Sequence, residues 1–279
     1  MQTVAQALQW AVAELSAVSP ADDAQLDARW LLAHLLGKNQ AWLRAFADQV
    51  LPDADFQKYY GWIARRRAGE PVAYIGGCQG FWNFELEVTA DTLVPRPDTE
   101  LLVETALELL DAAAKTVVDL GTGTGAIALA LKSERPEWQV LATDIDAASL
   151  ALAQRNAHKL GLAIRVQESC WLRDVGAEKF QLIVSNPPYI RADDPHLAGA
   201  GVRFEPLRAL VSGVDGLDAI REIVVAAPDH LHAGGWLLLE HGYDQGAAVR
   251  GLLQARGFHA VETRRDLGGN ERVTLGRWF

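Results

Sequence analysis

The chain has 279 residues, 49% of them hydrophobic and 22% charged, with a formal net charge of -10. This is the composition of a core-forming globular protein and excludes a disordered or fibrous chain, while the negative balance offers no global basic field for nucleic acid, so no direct nucleic-acid partner is expected. Two cysteines without paired spacing, no run of roughly twenty apolar residues and no basic-then-apolar N-terminal segment lead us to expect a reduced, cytoplasmic protein without disulfide or membrane association.

The first eighty or so residues read as helices. Thr3 and Gln6 form a capping-box pattern ahead of Val4, Ala7, Leu8, Ala11, Val12 and Leu15, which recur at helical spacing. Asp22 and Asp23 open a second helix whose Leu26, Trp30, Leu31 and Leu35 are expected on one face until Gly37 stops it. A short third element carries Trp42, Leu43 and Phe46, and a fourth begins after Pro52 and runs to Gly69. Arg65, Arg66 and Arg67 are the only basic cluster in this bundle. They are either cations favoured at a helix C-terminus or a patch for a partner. No group in these residues is chemically active, so residues 1–70 are expected to recognise or stabilise.

From Pro71 to Val94 the pattern turns extended, with Val72 to Ile75, then Gly76 and Gly77, then Phe81 to Val88. We expect a β-hairpin linker over residues 71–94 and a second domain over 95–279. That domain opens with Val94-Pro95-Arg96-Pro97-Asp98-Thr99-Glu100, in which two prolines bracket an arginine and Asp98 or Thr99 is expected to cap a helix from Leu101. Arg96 either orients a substrate or the catalytic loop, or belongs to a helix entry packed on the core.

Thr116 to Leu120 is a short β-branched strand, and Gly121-Thr122-Gly123-Thr124-Gly125 then opens a helix over Ala126 to Lys132. Glycines there let backbone approach a ligand closely at a helix N-terminus. A second strand, Gln139 to Thr143, ends at Asp144, about twenty residues past the glycines, where a carboxylate holds the ribose hydroxyls of an adenosine-containing cofactor. Both NAD and S-adenosylmethionine meet that description. Asp119 is expected beside the cofactor's amino-acid portion, its carboxylate facing the ammonium. After a helix over Ala147 to Leu160 and a strand at Ile164 to Val166 come Cys170 and Trp171, the latter either packed beside adenine or a core residue.

The apolar run Leu182 to Val184 then leads into Ser185-Asn186-Pro187-Pro188-Tyr189-Ile190, so the strand stops and exposes Asn186 to Tyr189 at its carboxyl end, the ligand-binding edge of open α/β sheets. These residues suit one chemistry. A planar, conjugated NH2 group is a poor nucleophile until something accepts both its hydrogens and turns its lone pair out of conjugation. The Asn186 side-chain oxygen accepts one hydrogen, the Pro187 carbonyl the other, and Tyr189 supplies a flat face. Preorganisation of this kind needs no proton-abstracting base. An amine-holding site with no hydride-transfer partner selects S-adenosylmethionine over NAD. Beyond it, Arg191 to Gly213 is irregular and polar and is expected to fold over the site. A helix over Leu217 to Leu231, the strand Trp236 to Glu240, a helix near Gln245 to Ala255 and two closing strands complete the chain. The seven histidines are scattered without ligand spacing, so no metal is expected.

Taken together, these motifs, with Gly69-Glu70-Pro71 and Tyr74-Ile75-Gly76-Gly77, resemble the peptide-chain release factor glutamine N5-methyltransferases, the HemK or PrmC family, over nearly the whole length. The resemblance implies an α/β fold: a Rossmann-like class I S-adenosylmethionine-dependent methyltransferase domain with a seven-stranded mixed sheet after a small helical bundle. It implies a substrate glutamine in the Gly-Gly-Gln loop of bacterial release factors. By the same resemblance Gly121 to Gly125 and Asp144 bind cofactor, Trp171 flanks it, and Asn186 to Tyr189 bind the glutamine amide; Asp119 and Asn186 are also expected at the cofactor and Arg96 at the substrate, and a monomer is expected. The family often has an acidic residue where Cys170 stands, so a backbone acceptor is expected to meet the adenine amino group instead. A ribosomal-protein glutamine methyltransferase, a nucleic-acid adenine-N6 methyltransferase and a non-catalytic nucleotide-binding protein remain alternatives.

Overall fold

The computed structural model describes residues 2–199 and 201–279; Ala200, in the irregular stretch expected over Arg191 to Gly213, lies outside them. The chain divides into two compact units, Met1–Cys78 with Ala198–Phe204, and Gln79–Leu197 with Glu205–Phe279. Among the described residues no helix is long and apolar enough to cross a membrane.

The first unit holds α1 (Val4–Ser16), α2 (Ala21–Leu36), α3 (Gln40–Ala45), α4 (Asp53–Arg67) and α5 (Val72–Gly76). The capping box at Thr3 and Gln6 forms as expected. In α2 the buried positions are Ala24, Ala28, Leu31, Leu32 and Ala33, the first four at i, i+4, i+7 and i+8, which turns Leu26 to the outside with 66% exposure, against the expected face. The expected strand at Val72 to Ile75 is instead α5. Pro71 supplies a helix-ready φ of -57°, the left-handed Gly77 closes the turn on the Ala73 carbonyl, and burial of Ala73, Tyr74 and Ile75 overrides the β-propensity of the segment. Arg65, Arg66 and Arg67 pair with Glu70, Asp27 and Glu14, so the cluster is neutralised inside its own unit. The Arg203 guanidinium donates to the Ala68 carbonyl, which ties the later segment to the end of α4.

A hairpin of β1 (Cys78–Phe81) and β2 (Phe84–Glu87) follows, in the second unit from Gln79 on, so the turn is at Trp82-Asn83 and not at Gly76-Gly77. Glu100 takes up the Trp82 N–H at 2.8 Å. After a 3-10 turn at Pro97–Thr99 come α6 (Glu100–Leu109), β3 (Thr116–Leu120), α7 (Ala126–Glu134), β4 (Gln139–Asp144), α8 (Ala147–Leu160), β5 (Arg165–Glu168) and β6 (Phe180–Ser185). The unit ends with α9 (Asp218–Ala226), β7 (Leu231–Glu240), α10 (Gly246–Arg256), β8 (His259–Arg265) and β9 (Glu271–Arg277). The helix expected to reach Leu231 ends at Ala226, because Pro228 has no N–H for the ladder and the chain tightens into a 3-10 turn.

The sheet has seven strands in the order β5-β4-β3-β6-β7-β9-β8, parallel from β5 to β7 and antiparallel for β9 and β8. Alternate residues feed opposite faces. Val117, Leu182, Val184 and Leu238 pack with α6 and α7, while Val118, Leu120, Ile183, Leu237 and Leu239 pack with α9 and α10. Strand order reverses between β3 and β6, and Leu120 lies opposite Ser185 across them. The glycine loop and the Asn-Pro-Pro-Tyr turn therefore leave adjacent strand ends at the topological switch point.

Candidate active site

An open-mouthed cavity of about 1010 Å³, counting the space at its mouth, lies over these strand ends. It admits a nucleoside-sized ligand. Its wall includes Arg96, Thr99, Gly121 to Thr124, Asp144, Cys170, Trp171, Asn186 and Pro188. Asp119, Gly125, Pro187 and Tyr189, also expected at the site, do not line it.

The glycine loop is held by its own backbone and by two carboxylates. Thr122 N–H donates to the Thr143 carbonyl at 2.8 Å, and Gly123 N–H donates to Asp144 Oδ2 at 2.9 Å. Gly121 has φ of +70°, and a Cβ on it would stand 3.3 Å from the Trp171 ring, so backbone conformation and the close approach of Trp171 both require glycine. Trp171 itself takes a φ of +53° to reach that place. It both lines the cavity and packs against the hydrophobic core on that side of the sheet. Cys170 lines the same wall, and its own N–H donates to Asp174 Oδ2 at 3.3 Å.

Asp119 is fully buried at the end of β3. Its Oδ2 accepts from Thr122 Oγ1 at 2.6 Å and from Ala128 N–H at 3.2 Å, whereas Oδ1 has no hydrogen-bond partner among the described residues. Burial pushes this carboxyl up to about 7, against the opposing effect of those two bonds. Asp144 is also raised by burial. Its Oδ1 accepts from Asp146 N–H at 3.0 Å, and the residue lines the cavity.

Asn186 caps the site at the end of β6. Its Nδ2 donates to Thr99 Oγ1 at 3.1 Å, which leaves Oδ1 as its free acceptor. Neither Asp98 nor Thr99 caps α6 as expected; the Thr99 side chain turns to Asn186, and Asp98 pairs with Arg272 at 3.2 Å. Tyr189 is half-buried and pinned twice: its hydroxyl lies 3.5 Å from Glu240 Oε1, and its carbonyl accepts from Gln245 Nε2 at 3.0 Å. Burial raises the Tyr189 phenol, so it stays a neutral face and donor. Gly216, with φ of +77°, passes beneath: a Cβ there would sit 2.2 Å from the Tyr189 carbonyl oxygen.

Arg96 pairs with Glu205, whose side chain is almost fully buried, and so fastens the returning segment after residue 204. Arg208 lies just beyond, bonded to Asp146 at 3.0 Å and to the Asp91 carbonyl at 2.7 Å, and it lines the cavity with Ala209. The expectation that this stretch folds over the site thus holds for Arg208 and Ala209, while Ala198–Phe204 belongs to the helical unit. Sequence reasoning missed Thr99 in its actual role, Arg208, Gln245 and Glu240. The one available signal is a carboxylate ending the apolar strand Trp236 to Glu240, an unusual residue at the carboxyl edge of a buried strand.

Comparison with known proteins places these features in context. Residues 6–77 match the PrmC N-terminal domain, and residues 97–200 match the Methyltransferase small domain. A release factor glutamine methyltransferase of Pseudomonas aeruginosa is 58% identical over 256 residues, covering 91% of this chain and 93% of that protein. One from Escherichia coli is 45% identical over 271 residues, covering 97% of this chain and 98% of that protein. Among solved structures, a Thermus thermophilus 16S rRNA methyltransferase held with S-adenosylmethionine and guanosine superimposes with a TM-score of 0.53 at 22% identity, over 72% of this chain and 50% of that chain. At that identity the likeness concerns the class I methyltransferase fold alone.

Proposed function

The chain belongs to the release factor glutamine methyltransferases and methylates the side-chain nitrogen of a release-factor glutamine, and on that premise we propose how its residues carry the reaction. The methyl donor is S-adenosylmethionine and the acceptor is the glutamine of the Gly-Gly-Gln loop. The observation that carries this reading is Asn186: its NH2 group is committed to Thr99, which leaves its oxygen as the acceptor, and the residue lines the cavity one strand from the glycine loop.

The chain's residues fit the donor. The orphaned, buried Oδ1 of Asp119 is an acceptor awaiting a cation, suited to an ammonium; Asp144 suits ribose hydroxyls; Gly121 and Gly123 leave backbone bare for close approach; and the Trp171 ring forms a wall beside the loop. When bound, S-adenosylmethionine would supply a methyl group on a positively charged sulfonium for direct transfer to the amide nitrogen, the S–CH3 bond breaking as N–CH3 forms, with the neutral thioether leaving and one nitrogen-bound hydrogen released as a proton to solvent.

Everything else is the work of this chain. Asn186 Oδ1 accepts one hydrogen of the acceptor NH2, and the Pro187 carbonyl accepts the other, so the lone pair turns out of conjugation with the amide carbonyl. Tyr189, pinned by Gln245 and Glu240, fixes the amide plane. The pair of acceptors also stabilises the positive charge that develops on nitrogen, in a site already organised for it. Arg96 acts through Glu205 by holding the segment that carries Arg208.

The test is transfer of labelled methyl from S-adenosylmethionine to purified release factor, beside the same factor with its loop glutamine changed to alanine. Label on the first alone is expected; label on both moves the acceptor elsewhere. Asn186→Ala should lower turnover by roughly 100-fold or more, the scale of losing one preorganised group at the reacting centre, while cofactor affinity stays near wild type. Equal losses of turnover and affinity would sink the assigned role.

A further inference from the structure

Gln245 stands half-buried at the start of α10 and is not among the residues that line the cavity. Its side-chain amide is nonetheless spent on the acceptor turn. Oε1 accepts from Gly242 N–H at 2.8 Å, while Nε2 donates to the Tyr189 carbonyl at 3.0 Å and to the Asp215 carbonyl at 3.3 Å. The polarity is fixed at both ends, because a backbone N–H only donates and a carbonyl only accepts. Gly216 packs on the same contact: a Cβ there would stand 2.2 Å from the Tyr189 carbonyl oxygen and 2.7 Å from Gln245 Nε2.

We propose that Gln245 is a positioning residue for methyl transfer, acting through the peptide that follows Tyr189, an inference that rests on Asn186 to Tyr189 holding the acceptor amide. The turn is stiff on its entering side. The rings of Pro187 and Pro188 fix their own φ, and each confines the residue before it to extended backbone. Tyr189 is the one residue of the four that neither is a proline nor precedes one, and its ring is what meets the amide. Restraint on its backbone must come from the exit side. There Ile190 N–H donates to the Leu210 carbonyl at 2.8 Å, the Ile190 carbonyl accepts from Ser212 N–H at 2.9 Å, and Gln245 takes the Tyr189 carbonyl. Of these three bonds only that of Gln245 is made by a side chain.

Without it the Tyr189–Ile190 peptide turns in search of another donor, and the Tyr189 ring moves relative to Asn186. A misplacement of about 1 Å at a reacting centre costs on the order of 100-fold in rate. The glycine loop and Asp144 take no part in these bonds, so cofactor binding is spared.

The experiment measures kcat, KM for both substrates and thermal melting for wild type, Gln245→Met, Gln245→Glu, Gly216→Ala, the Gln245→Met/Gly216→Ala double variant and Gly269→Ala. Methionine fills the space with neither bond; glutamate keeps an acceptor for Gly242 but sets a carboxylate oxygen against the Tyr189 carbonyl. Gly269 has a φ of +83° with nothing within 4 Å of its Cβ position, so its alanine variant reports backbone strain alone. The first three variants should each lose about tenfold or more in kcat and keep KM for S-adenosylmethionine within about twofold. The double variant should fall no more than about twofold below the worse single one, since both lesions release the same carbonyl. Gly269→Ala should melt lower and turn over as wild type. If Gly216→Ala does not fold, the two Gln245 variants decide. Wild-type kcat in Gln245→Met overturns the inference. So does wild-type kcat in Gln245→Glu alone, which assigns the effect to the Gly242 bond, or losses that multiply in the double variant, or an equal loss in Gly269→Ala. Turnover surviving in Asn186→Ala would instead overturn the amine-holding reading beneath it.

Discussion

Asp119 brings a carboxylate into the apolar middle of a parallel sheet, where an ordinary acid would be neutral. Two donors, Thr122 and Ala128, serve one of its oxygens and none serves the other. If the unserved oxygen receives the cofactor ammonium, only the ionised carboxylate makes a charge-assisted bond. Affinity for S-adenosylmethionine should then weaken as pH is lowered from 7.5 to 5.5, through the group's value of about 7. Asp119→Asn should bind roughly tenfold or more weakly at pH 7.5 and show little dependence over that range, since about 1.4 kcal/mol is one factor of ten and a charge-assisted bond contributes at least that. Calorimetric titration of both proteins at three pH values checks it; parallel curves would remove Asp119 from the cofactor site.

The hairpin, the glycine loop and α8 are stitched together by one side chain, the fully buried Asn156. Its Oδ1 accepts from Glu87 N–H at 2.7 Å, and its Nδ2 donates to the Glu87 carbonyl at 3.0 Å and the Thr124 carbonyl at 2.9 Å. Asn156→Ala strands three backbone groups in the interior and should cost about 3 kcal/mol in urea unfolding, the scale of unmet buried hydrogen bonds. It should also weaken cofactor binding, because Thr124 belongs to the loop. Asn156 illustrates which elements are legible in advance. The helix carrying it is legible in full because Leu150, Leu152, Ala153 and Ala157 repeat at helical spacing, and β3 is legible from a β-branched run ending in glycine. The bonds of Asn156 to β2 and the glycine loop are tertiary, and no periodicity announces them. For the same reason Val72 to Ile75 misleads, its β-branched residues being drawn into a helix by burial. The candidate site divides similarly: Asn186, the glycines and Asp144 stand in local motifs, whereas Thr99 and Glu240 meet Asn186 and Tyr189 from 87 and 51 residues away.

On the scale of the whole molecule, Asp119 and Glu240 have a common effect. Both sit at about 7, above the ordinary carboxylate range near 4, so folding favours their protonated forms. The stability they contribute is complete below about pH 4 and is lost as pH rises toward and through about 7. Exposed carboxylates held low by partners, such as Asp215 at about 2 beside Arg221, act in the opposite sense, and only in more acid solution. The ligand-free protein should therefore unfold at lower urea concentration at pH 8 than at pH 5, and Asp119→Asn should narrow the difference. An unchanged midpoint between those pH values would show that these carboxyls are not strained by burial.

The helical unit recruits Ala198–Phe204, with Arg203 closing on the Ala68 carbonyl, although its other residues end at Cys78. During synthesis on the ribosome this unit thus emerges unfinished and waits for more than a hundred further residues, on the order of 10 s at ordinary elongation rates. The chain must lay down Asn186 to Tyr189 before it can supply that last piece. Completion of the N-terminal unit is in this way a late event in the life of the nascent chain, and a polypeptide released before residue 204 would carry neither a finished bundle nor the Glu205 latch on Arg96.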